Sequence, residues 1–165
     1  MVVVISLLAS LAIPKFTAIN DRWRVRDTTE AMISTLYFAR SEALKRGTKI
    51  VIQKSPNNPG RCRLASNNQE WGCGWFVFID SDKNGKYKIG EEILRTVSTP
   101  INTDVIHNSG GAAISVDHNG KMDGLNAKGF TISPASTGIS SPATRGICMA
   151  AGGRIKVIED IPCTP

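Results

Sequence analysis

Residues 80–91, DSDKNGKYKIGE, match the calcium-loop spacing D-x-[DN]-x-[DN]-G-x5-E completely. Asp80, Asp82 and Asn84 offer oxygens, Gly85 the sharp turn, and Glu91 a bidentate carboxylate. Two features oppose an ion. Lys83, Lys86 and Lys88 repel a dication. GWFVFI, just before the loop, reads as a strand, whereas an EF-hand needs a helix on each side. The expectation is a β-hairpin turn whose Asp and Asn side chains satisfy local backbone donors, with calcium as the alternative. No cofactor is expected.

A second cluster lies near the C-terminus, in AAGGRIKVIE. Gly152-Gly153 permits a tight turn, Arg154 and Lys156 point the same way on a strand, and Arg145 sits across the expected hairpin. These cations read either as edge protection on an exposed sheet face or as a phosphate-binding patch. In the second reading Arg145, Arg154 and Lys156 hold double-stranded DNA without sequence preference. The net charge of +6 suits anionic partners, nucleic acid or phospholipid, without selecting either.

Other reactive side chains are scattered. The four cysteines, Cys62, Cys73, Cys148 and Cys163, include no C-x-x-C pair, so a zinc ribbon or thioredoxin-like motif is not indicated. They fall into two sequence-local pairs, and Cys62–Cys73 with Cys148–Cys163 close the shortest loops, which reads as two disulfides in an oxidising compartment. Four buried thiols in a cytosolic protein are the alternative. His107 and His118 stand in no ligand spacing and read as surface or turn residues. No G-x-S-x-G elbow or P-loop occurs. An enzyme is not expected, nor a small-molecule substrate.

The elements that position these residues fall into two parts. Residues 2–46 read as one helix, about 67 Å long at 1.5 Å per residue, and Gly47 after Lys45-Arg46 is a stop signal. Pro14 removes one backbone hydrogen bond and predicts a kink rather than an end, because the periodicity resumes beyond it. From residue 15 the helix becomes amphipathic, with Phe16, Ile19, Trp23, Ile33, Leu36, Tyr37 and Leu44 at helical spacing as the expected packing face. Residues 47–165 read as a β-rich domain. Strands are expected at 49–54, 74–79, 92–97, 104–107, 113–116, 130–133, 146–150 and 154–158, with a loop over 133–142. Asn84-Gly85 and Asn119-Gly120 are hairpin signals. In the second strand both alternating faces, Trp75, Val77 and Ile79 against Phe76 and Phe78, are apolar, which predicts a central strand with one side against the helix. The class is α+β.

Val2 to Ile13 is almost wholly apolar, yet a bilayer-spanning helix needs roughly 20 such residues. A signal peptide would carry a basic n-region, which is absent after Met1. A buried core helix is the other alternative, but residues 2–13 have no polar face. A membrane helix whose first turns precede Met1 fits better.

VVVISLLASLAIPKF followed by an amphipathic helix resembles the N-terminal region of type IV pilins and type II secretion pseudopilins. In that family a basic leader ending in glycine, and a Phe-led apolar stretch with a glutamate, precede this segment. About six added residues would restore a span of roughly 20. EWGCGWFVFIDSDKNGKYKIGEEILR resembles the signature of the GspH/FimT group. The resemblance implies a pilin fold, with a long N-terminal helix packed on antiparallel sheet. It also implies a single pass through the bacterial inner membrane, a periplasmic domain, and assembly with other pilins. The expected function is a minor pilin of a type IV pilus; the alternative is pseudopilin H of a type II secretion system. FimT-type minor pilins linked to DNA uptake carry Gly-Arg-x-Arg where this chain has Gly153-Arg154-Ile155-Lys156, and lysine binds phosphate without arginine's fork. One conflict stands. Lys15, Arg22, Arg24 and Arg26 follow the apolar stretch, and by the positive-inside tendency they would place the domain in the cytoplasm.

Overall fold

The computed structural model describes residues 2–58, 62–108, 110–122, 129–150, 154–159, 161 and 163, with side chains from residue 17 onward. Gly152-Gly153 and the side chains of Pro14, Lys15 and Phe16 lie outside the described residues.

Helix α1 spans Val2–Arg46 and is continuous through Pro14. It ends as its composition requires. Gly47 takes φ +62°, the left-handed conformation that glycine adopts without a Cβ penalty. Lys45 and Arg46 occupy the last turn, where cations suit the helix dipole, and Arg46 Nε donates to Glu42 at 2.6 Å.

The packing face is only partly the one that the large residues predict: Leu36 is fully buried and Ile33 packs against the core, but the others described do not. Ile19, Trp23, Tyr37 and Leu44 are half or more exposed. The buried stripe is Val25, Thr28, Thr29, Met32, Thr35, Leu36, Ala39 and Ala43. Around Met32 and Leu36 the stripe is made of small and β-branched side chains. Their hydroxyls are satisfied within the helix, since Thr28, Thr29 and Thr35 donate to the carbonyls of Arg24, Val25 and Ala31 at 2.7–2.8 Å.

Eight strands follow: β1 Ile50–Lys54, β2 Trp75–Ile79, β3 Ile93–Val97, β4 Thr103–His107, β5 Ala113–Val116, β6 Gly129–Pro134, β7 Arg145–Met149 and β8 Ile155–Ile158. They form two antiparallel four-stranded sheets, ordered β3-β2-β1-β5 and β4-β6-β7-β8. The chain leaves the first sheet at β4 and returns for β5, so neither sheet is one continuous run. Helix α1 packs on both, and its stripe meets Ile52, Trp75, Ile114, Phe130 and Ile147 in one core.

Strand β2 is interior, as its two apolar faces require. Trp75 is fully buried and its Nε1–H donates to Thr35 Oγ1 on the helix at 3.0 Å. On the other face Phe76 and Phe78 pack edge-to-face with Tyr87 at 5.4 Å. Gly74 opens this strand at φ +94°, where a Cβ would meet the Val97 carbonyl oxygen at 2.2 Å.

The antiparallel strands β2 and β3 are joined by a wide hairpin loop in which Asp80, Asn84 and Glu91 accept from the loop's own backbone N–H groups. One further expectation changes. His107 is a buried strand residue, not a surface one: it stacks on Phe130 at 4.8 Å, meets Trp71 edge-on, and its Nδ1 lies 2.9 Å from the Gly111 carbonyl oxygen. An aromatic cage buries this imidazole in the second sheet, which no local sequence signal announces.

Candidate functional site

Three surfaces carry the charged residues singled out in the sequence. The first is the loop after β2. Asp80 is fully buried and its Oδ2 lies 2.9 Å from Lys49 Nζ. Asp80 also accepts from the backbone N–H groups of Asn84 and Gly85 at 3.1 and 2.9 Å. Asp82 accepts from Asn84, Asn84 Oδ1 from Lys86 N, and Glu91 from Ser81 N and Lys88 N. Carboxylate oxygens of Asp80, Asp82 and Glu91 come within 4.8 Å of one another, close enough to share an ion. They are spent on the loop's own N–H groups and on an ammonium. Burial would raise the Asp80 pKa, but the hydrogen bonds from Lys49 and Gly85 and the Lys49 charge outweigh it and hold the carboxyl below its usual value. Lys49 Nζ also donates to the Lys83 carbonyl at 3.1 Å. It belongs to the segment entering β1, outside the motif, so the motif could not reveal it.

The second surface is the edge strand β8. Arg154 and Lys156 are exposed and two residues apart, so they share one sheet face. In register, Lys156 pairs with Cys148 and Val157 with Ile147. Ile147 is in the core, so Lys156 projects from the opposite face. Arg145 has the parity of Ile147 and does not join them. It turns toward α1, donates to the carbonyls of Pro142 and Thr144 at 3.0 and 2.8 Å, and pairs with Glu159 at 3.0 Å. The three cations named from sequence are thus divided between two faces.

The third surface is where Arg145 goes. It lines a cavity of about 430 Å3 with Arg22, Arg26, Thr29, Ile33, Ala143 and Val157, and the acidic Glu30 lines it too. Beside it, Ile19, Arg22, Trp23 and Arg26 line a second of about 280 Å3.

Both disulfides form between the neighbouring cysteines, Cys62–Cys73 and Cys148–Cys163, and no described cysteine is free. The first closes a loop that Lys54 also pins, its Nζ donating to the carbonyls of Ala65, at 2.8 Å, and Asn67. The second fastens the end of the chain to β7.

One long helix on two antiparallel sheets, with a disulfide-bearing C-terminal strand pair, narrows the comparison. The family model described as type II transport protein GspH matches residues 28–153, well over half of the chain. The chain belongs to the GspH family. Among curated proteins no match is found.

Solved structures of GspH-like shape agree on the pilin fold. The type IV minor pilin FimU of Pseudomonas aeruginosa PAO1 superposes with a TM-score of 0.58 at 21% identity, covering 81% of this chain and 91% of that chain. A second crystal form of FimU gives 0.58 at 20% identity, covering 83% and 90%. The minor pseudopilin EpsH of the Vibrio cholerae type 2 secretion system gives 0.55 at 10% identity, covering 82% and 96%. In this GspH-family chain no described helix is long and apolar enough to cross a membrane.

Proposed function

We propose that this protein is a minor pilin, a structural subunit of a type IV pilus that helps to initiate assembly or primes the tip. Its N-terminal helix enters the bacterial inner membrane, its sheets stand in the periplasm, and other pilins surround it in the filament. It catalyses nothing in this reading. The observation that carries it is the helix. The stripe buried by the sheets begins at Val25, while Ile19 and Trp23 before it are 50% and 65% exposed. The sequence ahead of them is apolar, and a helix apolar all round needs lipid or other helices to cover it. The two disulfides support an oxidising compartment.

A second reading, pseudopilin H of a type II secretion system, is favoured by the family model itself. Deleting the gene decides between them. Loss of surface pili with export of folded proteins intact supports the pilus; the reverse selects the secretion system. No effect on either overturns the filament role. Within the pilus reading, Arg154 and Lys156 contact double-stranded DNA through its phosphates. They are supported by their exposure and shared face, and Arg145 is not part of that contact.

A further inference from the structure

We propose that the exposed stretch of α1 around Ile19, Arg22 and Trp23 and the facing edge of the second sheet form a seat for an anionic phospholipid headgroup. Ile19 and Trp23 rest in the bilayer surface, and Arg22, Arg26 and Arg145 hold the phosphate. The inference deepens the membrane reading given above and rests on it.

The two cavities share Arg22 and Arg26, which stand one helical turn apart, and Arg145 faces them from β7. Arg22 carries no ion pair among the described residues. Arg26 and Arg145 are paired, at 2.9 and 3.0 Å, but with Glu30 and Glu159, whose side chains are 64% and 77% exposed. Such solvated pairs contribute little, so a phosphate competes with them, and guanidinium forks match phosphate oxygens two at a time. Ile33, Ala143 and Val157 give the larger cavity an apolar wall for the glycerol and upper acyl carbons.

Trp23 is the exposed tryptophan, while Trp71 and Trp75 are buried completely. An indole left 65% exposed fits the headgroup level of a bilayer, where one end meets hydrocarbon and the other water. The distances agree. Arg22 follows Ile13, the end of the apolar run, by about 14 Å of helix. One headgroup layer is about 5–7 Å thick, and long arginine stems reach back across the rest. Duplex DNA suits this surface less well, because Ile19 and Trp23 flank it and Asp27 and Glu30 interrupt its charge. A headgroup seat also gives the cations that follow the apolar run a reason to lie there, against the positive-inside tendency.

The test uses the full chain in vesicles of phosphatidylcholine with or without phosphatidylglycerol, each doped with headgroup spin-labelled lipid of the same charge class. Tryptophan quenching then reports Trp23. The expected result is stronger quenching by the anionic lipid, with the preference falling about five-fold for Arg22→Gln and again for Arg145→Gln. Lys86→Gln, which removes a charge in the loop after β2 that lines neither cavity, leaves it unchanged. Flotation with the vesicles but equal quenching by both lipids overturns the seat and leaves the anchor standing. Flotation with neither vesicle overturns the anchor and the seat together. Quenching that falls as the protein is concentrated, whatever the lipid, assigns the surface to a second helix and overturns the seat. Loss of the preference on adding duplex DNA reassigns the cations to nucleic acid.

Discussion

In the loop after β2, an ammonium and backbone N–H groups occupy the carboxylate oxygens that the calcium-loop spacing brings together. The ammonium lies 2.9 Å from the buried carboxylate and the loop's N–H groups take the remaining oxygens. Millimolar calcium should therefore leave the melting temperature of the protein unchanged; a saturable rise that vanishes in Asp80→Ala or Glu91→Ala would reverse the reading. Lys49→Gln should cost roughly 1–3 kcal/mol, the penalty for weakening a buried polar partner, measured as a shift in the urea midpoint. The acid limb follows from the sign of the Asp80 shift. Its folded pKa is depressed, so its contribution is fully present above the unfolded value of about 3.9 and is lost as pH falls through the folded value. Asp80→Asn should flatten the loss of stability below about pH 4. At the β8 edge, two phosphate contacts predict a log–log salt slope near −1.8 for DNA binding. Arg154→Ala with Lys156→Ala should abolish it in fluorescence anisotropy, while Arg145→Ala should leave the slope intact. A slope near −3 that Arg145→Ala reduces would reunite the three cations.

The helix carries two faces with opposite demands. Toward the sheets it sets Met32 and Leu36 among small, β-branched and hydroxylated side chains; toward solvent it shows Ile19, Trp23, Tyr37 and Leu44. Periodicity alone picks out the large residues, of which only Leu36 and Ile33 turn to the core among those described, because it measures apolarity and not which side is covered. Two substitutions separate the faces. Met32→Ala, at full burial, should cost about 2–5 kcal/mol, whereas Tyr37→Ala should stay within about 0.5 kcal/mol; equal costs in chemical denaturation would return Tyr37 to the core. Helix and first sheet are also joined by one buried polar contact, Trp75 Nε1–H to Thr35 Oγ1. Thr35→Val keeps the shape but strands the indole N–H, for about 1–3 kcal/mol. In a Trp75→Phe background the same change should cost much less, and a double-mutant cycle measures the coupling.

Across the molecule, Cys62–Cys73 closes the irregular connection between β1 and β2 over a separation of 11 residues, and Cys148–Cys163 ties irregular chain to β7 over 15. Removing either by paired Ser substitution should lower stability by about 2–4 kcal/mol. The Cys148–Cys163 loss should be felt first at β7 and β8, as early loss of amide protection there; uniform loss over both sheets would show the domain to be one cooperative unit. Much of this architecture was legible in the order of residues. The helix end at Gly47, the eight strands and the two cysteine pairs depend on local periodicity, turn chemistry and loop length, which neighbours in sequence carry. What depends on distant partners was not. Lys49 reaches Asp80 across 31 positions, His107 is caged by Trp71 and Phe130, and Arg145 is turned to the helix by a strand register that also sends Lys156 the other way. The sequence by itself determined which elements exist and where the covalent bridges form. Only the tertiary structure decided which face of α1 is buried and which cations share a surface, because both depend on how two sheets that alternate in chain order close around one helix.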